Sequence, residues 1–197
     1  MINNFNQIKE LLDFPSDDIF YFIQLIKRRK ENPDMTKNEV VLLTHYLTSI
    51  DRLNSLEFEI IDFCKTFKTR AYINLNKRSF KKIGLEMLRT MSEYIIQGDY
   101  KSIRKAYNSC CGKYSSDENK KWVLDVDFKP DNIELYLKKI NEFLFNVEPL
   151  NVEKIITKIP TKSGLHIITK PFNPLTFKKI YPEIEIHKNN PTILYIP

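Results

Sequence analysis

Apolar positions repeat with two different periods along this chain, and the change of period divides it. After Pro15, Ser16 can cap a helix that carries Asp17 and Asp18 in its first turn. Ile19, Phe20, Phe22, Ile23 and Ile26 then fall at helical spacing, and Lys27-Arg28-Arg29-Lys30 close its last turn, as cations that complement the helix C-terminus or, alternatively, contact phosphate. Thr36-Lys37-Asn38-Glu39 has the form of a capping box, opening a second helix with Val40, Leu43, Tyr46 and Leu47 on one face. His45 falls within it as a surface or packed histidine. The spacing thus predicts a helical N-terminal region over residues 1–57. From Phe58 the period shortens: Phe58–Phe63 and Arg70–Asn76 read as strands, the second alternating strictly. A helix is expected from Ser79 to Gln97, stopped by Gly98-Asp99, then a shorter one to about Cys110 and a polar loop over Lys113–Lys120.

Beyond this loop strands and helices interchange. Lys121-Trp122-Val123-Leu124-Asp125-Val126-Asp127-Phe128 reads as a strand. Side chains two apart on a strand share a face, so Val123, Asp125 and Asp127 project together while Leu124, Val126 and Phe128 pack behind. Asp131 or Asn132 caps a helix to Phe145 with Ile133, Leu137, Ile140 and Leu144 inward. Lys154–Ile159 and Leu165–Thr169 are strands joined by the turn Pro160-Thr161-Lys162-Ser163-Gly164. A short helix follows over Leu175–Ile180, and Glu183–Ile186 and Thr192–Ile196 read as a hairpin around Asn189-Asn190. The order β-α-β-β-α-β-β is close to an RRM or ferredoxin-like sheet. The predicted fold class is therefore α+β, a helical N-terminal region followed by an RRM-like antiparallel sheet. The core spans 58–197, with an αβ lobe over 58–120 and the RRM-like lobe over 121–197.

Composition narrows the function. The 197 residues carry a net charge of +6, which favours a polyanionic partner such as nucleic acid or nucleotide. Only 4 glycines are present, leaving no Gly-rich phosphate loop of the P-loop or Rossmann type. Cys64, Cys110 and Cys111 form neither a disulfide framework nor a zinc-site spacing, so a reducing, cytoplasmic setting is expected. The N-terminus lacks the pattern of a signal peptide, and no apolar run is long enough to span a membrane.

The chemistry concentrates in the second half. Two carboxylates on one face of an apolar strand repel each other and lose hydration, and a hard divalent cation is the usual resolution. An Asp-x-Asp alone also describes a strand ending in the solvated turn Lys129-Pro130-Asp131-Asn132. Two later segments shift the balance: Ser163-Gly164-Leu165-His166 at the start of a returning strand, and Glu185 between Ile184 and Ile186. Together they supply three carboxylates for metal, and a histidine with Ser163 and Lys162 for phosphate oxygens. Metal-dependent nucleotidyl transfer needs this set. Arg70, Asn74, Asn76, Lys77 and Arg78 are candidates either for contacting phosphate or sugar or for capping a sheet edge.

The ordered triple resembles the archaeo-eukaryotic primase superfamily, which includes the primase-polymerases, over roughly residues 60–197. The resemblance implies a catalytic core of primase-polymerase type. Asp125, Asp127 and Glu185 would bind Mg²⁺ or Mn²⁺ and be catalytic, with Ser163, His166 and Lys162 at the phosphates of an incoming nucleotide triphosphate. It also implies single-stranded or primed nucleic acid and other replication proteins as partners. The third acid is Glu where Asp is commoner in the family, and the second motif has one glycine where many relatives have more. The chain lacks the helical region that many primases use after the third motif, so extension is expected over initiation. Two rival readings are a non-catalytic RRM-like module for single-stranded nucleic acid, which would stack bases on sheet aromatics, and a metal-dependent nuclease, which needs no triphosphate pocket.

Overall fold

A computed structural model describes residues 1–115, 118–127, 133–189 and 191–197. Among them the chain runs through β1 (Ile2–Asn3), α1 (Phe5–Lys9), β2 (Ile19–Arg28), β3 (Glu39–Leu47), α2 (Ile50–Phe67), β4 (Thr69–Ile73) and β5 (Arg78–Ser79). There follow α3 (Phe80–Gln97), α4 (Tyr100–Ile103), α5 (Ala106–Lys113), β6 (Trp122–Val126), α6 (Ile133–Phe145), β7 (Ile155–Pro160), β8 (Leu165–Thr169), α7 (Pro174–Ile180), β9 (Glu185–His187) and β10 (Thr192–Ile196). The fold is α+β, built on two antiparallel sheets. The first has the order β1-β10-β4-β2-β3, with β5 also paired to β2, and the second the order β7-β8-β6-β9.

The N-terminal region is not helical. Residues expected to form two helices are the antiparallel hairpin β2–β3, in register from Tyr21↔Leu47 to Arg28↔Glu39. From Ile19 to Ile26 only Gln24 is polar, so apolar residues fall at helical spacing simply because nearly every position is apolar. Such a run suits a central strand buried on both faces, and β2 lies between β3 and β4. The expected strand over Phe58–Phe63 lies instead within α2. Leu53, Leu56, Ile60 and Cys64 are its buried residues, at helical spacing. Ser49 caps α2 by accepting from the Arg52 N–H, and Lys68 ends it in the left-handed region at φ 49°. The expected boundary at 57/58 therefore cuts through a helix.

The later elements follow the predicted pattern more closely. β4, α3, β6, β7, β8 and α7 form where expected, and Gly98 closes α3 at φ 72°. The proposed caps Asp131 and Asn132, with Phe128, lie outside the described residues. β6-α6-β7-β8-α7-β9 has the β-α-β-β-α-β connectivity of a ferredoxin-like sheet, with its first and third strands central. The last expected hairpin does not form. β9 pairs with β6, whereas β10 crosses to the first sheet and pairs with β4 and β1. Every residue of β10 is buried, which an edge hairpin would not provide. The last strand of the expected second lobe thus belongs to the first sheet.

Packing shows how the sheets meet. Tyr21, Ile23 and Leu25 point from β2 toward Leu53, Leu56 and Ile60 of α2 in the main core, and Val123, Ile159 and Ile168 join it from the second sheet. On the far side of the second sheet, Leu124, Val126 and Ile167 pack under α6 and α7 with Leu137, Ile140 and Phe177. Phe20 and Phe22, on the opposite face of β2 from Ile23, are covered by Ile83, Cys110 and Cys111. The three cysteines are free and buried.

Buried amides fasten the sheets together. Asn4 Nδ2 donates to the carbonyls of Pro160 (3.0 Å) and Ile193 (3.1 Å), one in each sheet. Asn76 donates to Lys121 O at 3.0 Å and accepts from Lys121 N at 2.7 Å, just before β6.

Candidate functional site: a polar cleft between two sheets

The inner face of the second sheet changes character along its strands. Val123 and Ile168, opposite each other in register, are core residues; one pleat further on, Asp125 stands opposite His166. Residues in register across an antiparallel pair share a face, so the row Ile159–His166–Asp125–Glu185 runs across β7, β8, β6 and β9 on that side. Here the two sheets part, leaving a cleft of about 600 Å³. Asp125, Asp127 and His166 line it together with Lys162 and Ser163 of the β7–β8 turn. That turn is fixed locally, with Thr161 N–H bonded to Gly164 O and Thr161 Oγ1 accepting from Gly164 N–H, both at 3.1 Å.

The first sheet supplies the other wall. Ile26 and Arg28 of β2, Arg70 and Tyr72 of β4, and Ile193 of β10 line it. Ile26 pairs with Arg70 and Ile193 with Tyr72, which puts each pair on one face. Each arginine is matched by an acid: Arg28 Nε lies 3.0 Å from Glu39, and Arg70 Nε donates to Glu31 at 2.7 Å. Arg28 Nη1 also donates to the Tyr72 hydroxyl at 3.3 Å.

His166 is held from both sheets. Its Nδ1 lies 2.8 Å from the Thr192 hydroxyl of β10, and its Nε2 lies 3.4 Å from Asp125 Oδ1. The Thr192 hydroxyl can donate to Nδ1 or accept from it, and when it donates Nε2 is left to act as a donor. The 3.4 Å contact is within ion-pair range without forming a hydrogen bond, so Asp125 Oδ1 is buried with no hydrogen-bond partner. The imidazole beside it, aided by His187 and Arg28, nonetheless holds the Asp125 carboxyl below the usual aspartate range, against the upward push of burial.

Glu185 stands in register with Asp125 but does not line the cleft. Its carboxylate is exposed and lies 3.3 Å from His187 Nε2, and it is His187 that faces the cleft. Among the described residues no three His, Cys, Asp or Glu side chains converge on one point that could hold a metal ion. Two carboxylates do open on the same cleft, one with a buried oxygen lacking a partner. That donor set fits a hard cation whose remaining ligands come from phosphate and water, as Mg²⁺ commonly has.

The candidates near β4 divide. Arg70 reaches the cleft, whereas the others are used inside the protein. Asn74 and Asn76 are each 2% exposed and Arg78 is 0% exposed, which removes them from any phosphate backbone. Asn74 donates to Asn189 O at 2.7 Å, and Arg78 donates to the carbonyls of Cys111 and Asn76 and to Asn189 Oδ1 beneath the ring of Phe22. Lys77 pairs with Asp13 at 2.9 Å. Sequence reasoning missed Glu31, Glu39, Tyr72, His187 and Thr192 as parts of this site, and offered Arg28 only within the basic run 27–30 as an alternative phosphate contact. The available signal was Ile26, Arg28 and Lys30 at period two, all lining the cleft, in a segment read as a helix end.

Compared with known proteins, the chain matches no family model, no curated protein and no solved structure. Among the described residues no helix is long and apolar enough to cross a membrane.

Proposed function

We propose that this protein is a metal-dependent nucleotidyltransferase of primase-polymerase type, adding nucleotides to the 3′ end of nucleic acid. The observation that carries the reading is the cross-strand pair His166–Asp125, opening on a cleft that Asp127, Lys162 and Ser163 also line, with the exposed Glu185 next in register outside that lining. Acids and phosphate donors of this kind, placed side by side, are what in-line transfer of a nucleotidyl group requires.

Asp125 and Asp127 are the residues we assign to Mg²⁺ or Mn²⁺. Glu185, in register with Asp125 but paired with His187, would join them only by turning its exposed side chain. A cation held there would neutralise charge at the triphosphate and lower the pKa of the attacking 3′ hydroxyl. His166 donates its Nε2 proton to a phosphate oxygen while Thr192 fixes the ring, Ser163 offers a hydroxyl donor, and Lys162 adds a point charge. Arg28 and Lys30, with Arg29 beside them in an adjoining groove, are where we place the backbone of a single-stranded or primed template. The free, buried cysteines fit a reducing, cytoplasmic setting.

A calorimetric titration with a nucleoside triphosphate, with and without Mn²⁺, tests this reading. The wild-type protein should bind only with the metal, and His166→Ala should weaken binding by roughly tenfold to a hundredfold, the worth of a hydrogen bond to a charged group. Oligonucleotide binding should hardly change in that variant. A wild-type protein that binds oligonucleotides but no triphosphate is a nucleic-acid-binding module; one that also cleaves them is a nuclease.

A further inference from the structure

Glu31 follows β2 by three residues and places its carboxylate inside the cleft between cations from both sheets. Arg70 Nε donates to Glu31 Oε1 at 2.7 Å, and Nη2 of the same guanidinium contacts that oxygen as well. Lys162 Nζ, on the β7–β8 turn of the other sheet, lies 3.8 Å from it. The oxygen therefore sits where an anion bridging the two walls would sit. Arg70 is deeply buried, with a residue exposure of 9%. Its guanidinium is thus a fixed donor fork, suited to a phosphate oxygen as well as to a carboxylate.

The main chain holds Glu31 in place without help from its carboxylate. The Glu31 N–H bonds to Arg28 O at 3.1 Å, the Asn32 N–H bonds to Arg29 O at 3.1 Å, and Asn32 Nδ2 bonds to Lys68 O at 3.1 Å. The carboxylate is therefore not needed to form the turn. Its effect is on charge, since it neutralises two cations that line the same cleft as Ser163 and His166.

Resting on the function proposed above, we infer that Arg70 and Lys162 form a subsite for the polyphosphate tail, and that Glu31 is a built-in anion competing with the ligand for it. A ligand must displace the carboxylate to use these cations. Phosphate groups of higher charge do so more readily, so Glu31 makes the cleft selective for a polyphosphate over a singly phosphorylated group.

The test is Glu31→Gln, which keeps the shape and removes the charge. Its affinity for inorganic pyrophosphate and for a nucleoside triphosphate with Mn²⁺ should rise by roughly tenfold. Adding Lys162→Met to Glu31→Gln should cancel most of that gain, and Glu31→Asp, which retains the charge, should stay close to wild type. Pyrophosphate needs no base or sugar site, so it reads the subsite by itself. If the wild-type protein binds nucleoside triphosphate but Glu31→Gln gains affinity for neither ligand, or loses it, Glu31 is a structural partner of Arg70 and this inference fails alone. If Glu31→Gln gains pyrophosphate affinity while no form of the protein shows metal-dependent triphosphate binding, the subsite stands and the nucleotidyltransferase reading falls.

Discussion

Replacing Thr192 by Val asks whether the first sheet orients a histidine that belongs to the second. Thr192 is fully buried on β10, and its hydroxyl lies 2.8 Å from His166 Nδ1. Valine has nearly the same shape and an equal preference for strands, so the backbone pairing of Thr192 with Ile73 should persist. What is lost is one neutral hydrogen bond, worth about 1 kcal/mol net. For a chain of this size that lowers the melting temperature by about 2–4 °C. The functional effect follows from the ring. Without the hydroxyl, nothing at Nδ1 holds the ring in its orientation, and about 1 kcal/mol of preorganisation corresponds to about fivefold in triphosphate affinity.

Calorimetry with Mn²⁺ and a nucleoside triphosphate should therefore place Thr192→Val between wild type and His166→Ala, with Thr192→Ser close to wild type. Unchanged affinity in Thr192→Val, beside a large loss in His166→Ala, would show that this contact does not orient the ring. Equal losses in the Val and Ser variants would assign the effect to packing rather than to the hydroxyl.

Two further outcomes are expected. Asp125→Asn should abolish Mn²⁺-dependent triphosphate binding and also lower stability at neutral pH, because the neighbourhood of His166, His187 and Arg28 favours the charged form. A depressed pKa means the native state binds fewer protons than the unfolded chain. The wild-type advantage in urea unfolding should thus be full above the ordinary aspartate value of 3.8 and fade as pH falls through the lower native value; a gap that widens on acidification would refute the argument. Lys154→Met should remove donors from three carbonyls, those of Leu144 (2.6 Å), Pro149 (2.7 Å) and Val152 (3.2 Å). At about 1 kcal/mol or more for each buried acceptor left unpaired, the melting temperature should fall by roughly 6–12 °C with nucleotide affinity unchanged while the variant is folded; a fall of under about 2 °C would show that water replaces the ammonium.

The contrast between the two halves of the chain follows from how their strands are buried. In β6 the outer residues Leu124 and Val126 pack under helices, while the inner face passes from Val123 to Asp125, so the alternation is visible and its interruption marks the site. β8 carries the same message in His166 and Ile168. β2 is covered on both faces and shows no alternation, and a helix template fits it by default. Reading Asp125 beside Asp127 as two repelling charges was also incomplete, since the chain brings two histidines and an arginine to Asp125 from other strands.

Two of the missed residues depend on partners far away in sequence. Glu31 meets Arg70 across 39 residues, and Thr192 meets His166 across 26. No local spacing encodes such pairings. They arise only when β10 leaves its expected hairpin for the first sheet and when 19–47 folds as strands. The change of secondary structure also changes the meaning of Lys27-Arg28-Arg29-Lys30. Wound on a helix, these four charges would be spread around the axis and complement its C-terminus. At the end of β2, alternation sends Arg28 and Lys30 to the same side, and both line the cleft with Asp125 and His166. A run that reads as a helix terminus thereby becomes a cationic edge of the cleft.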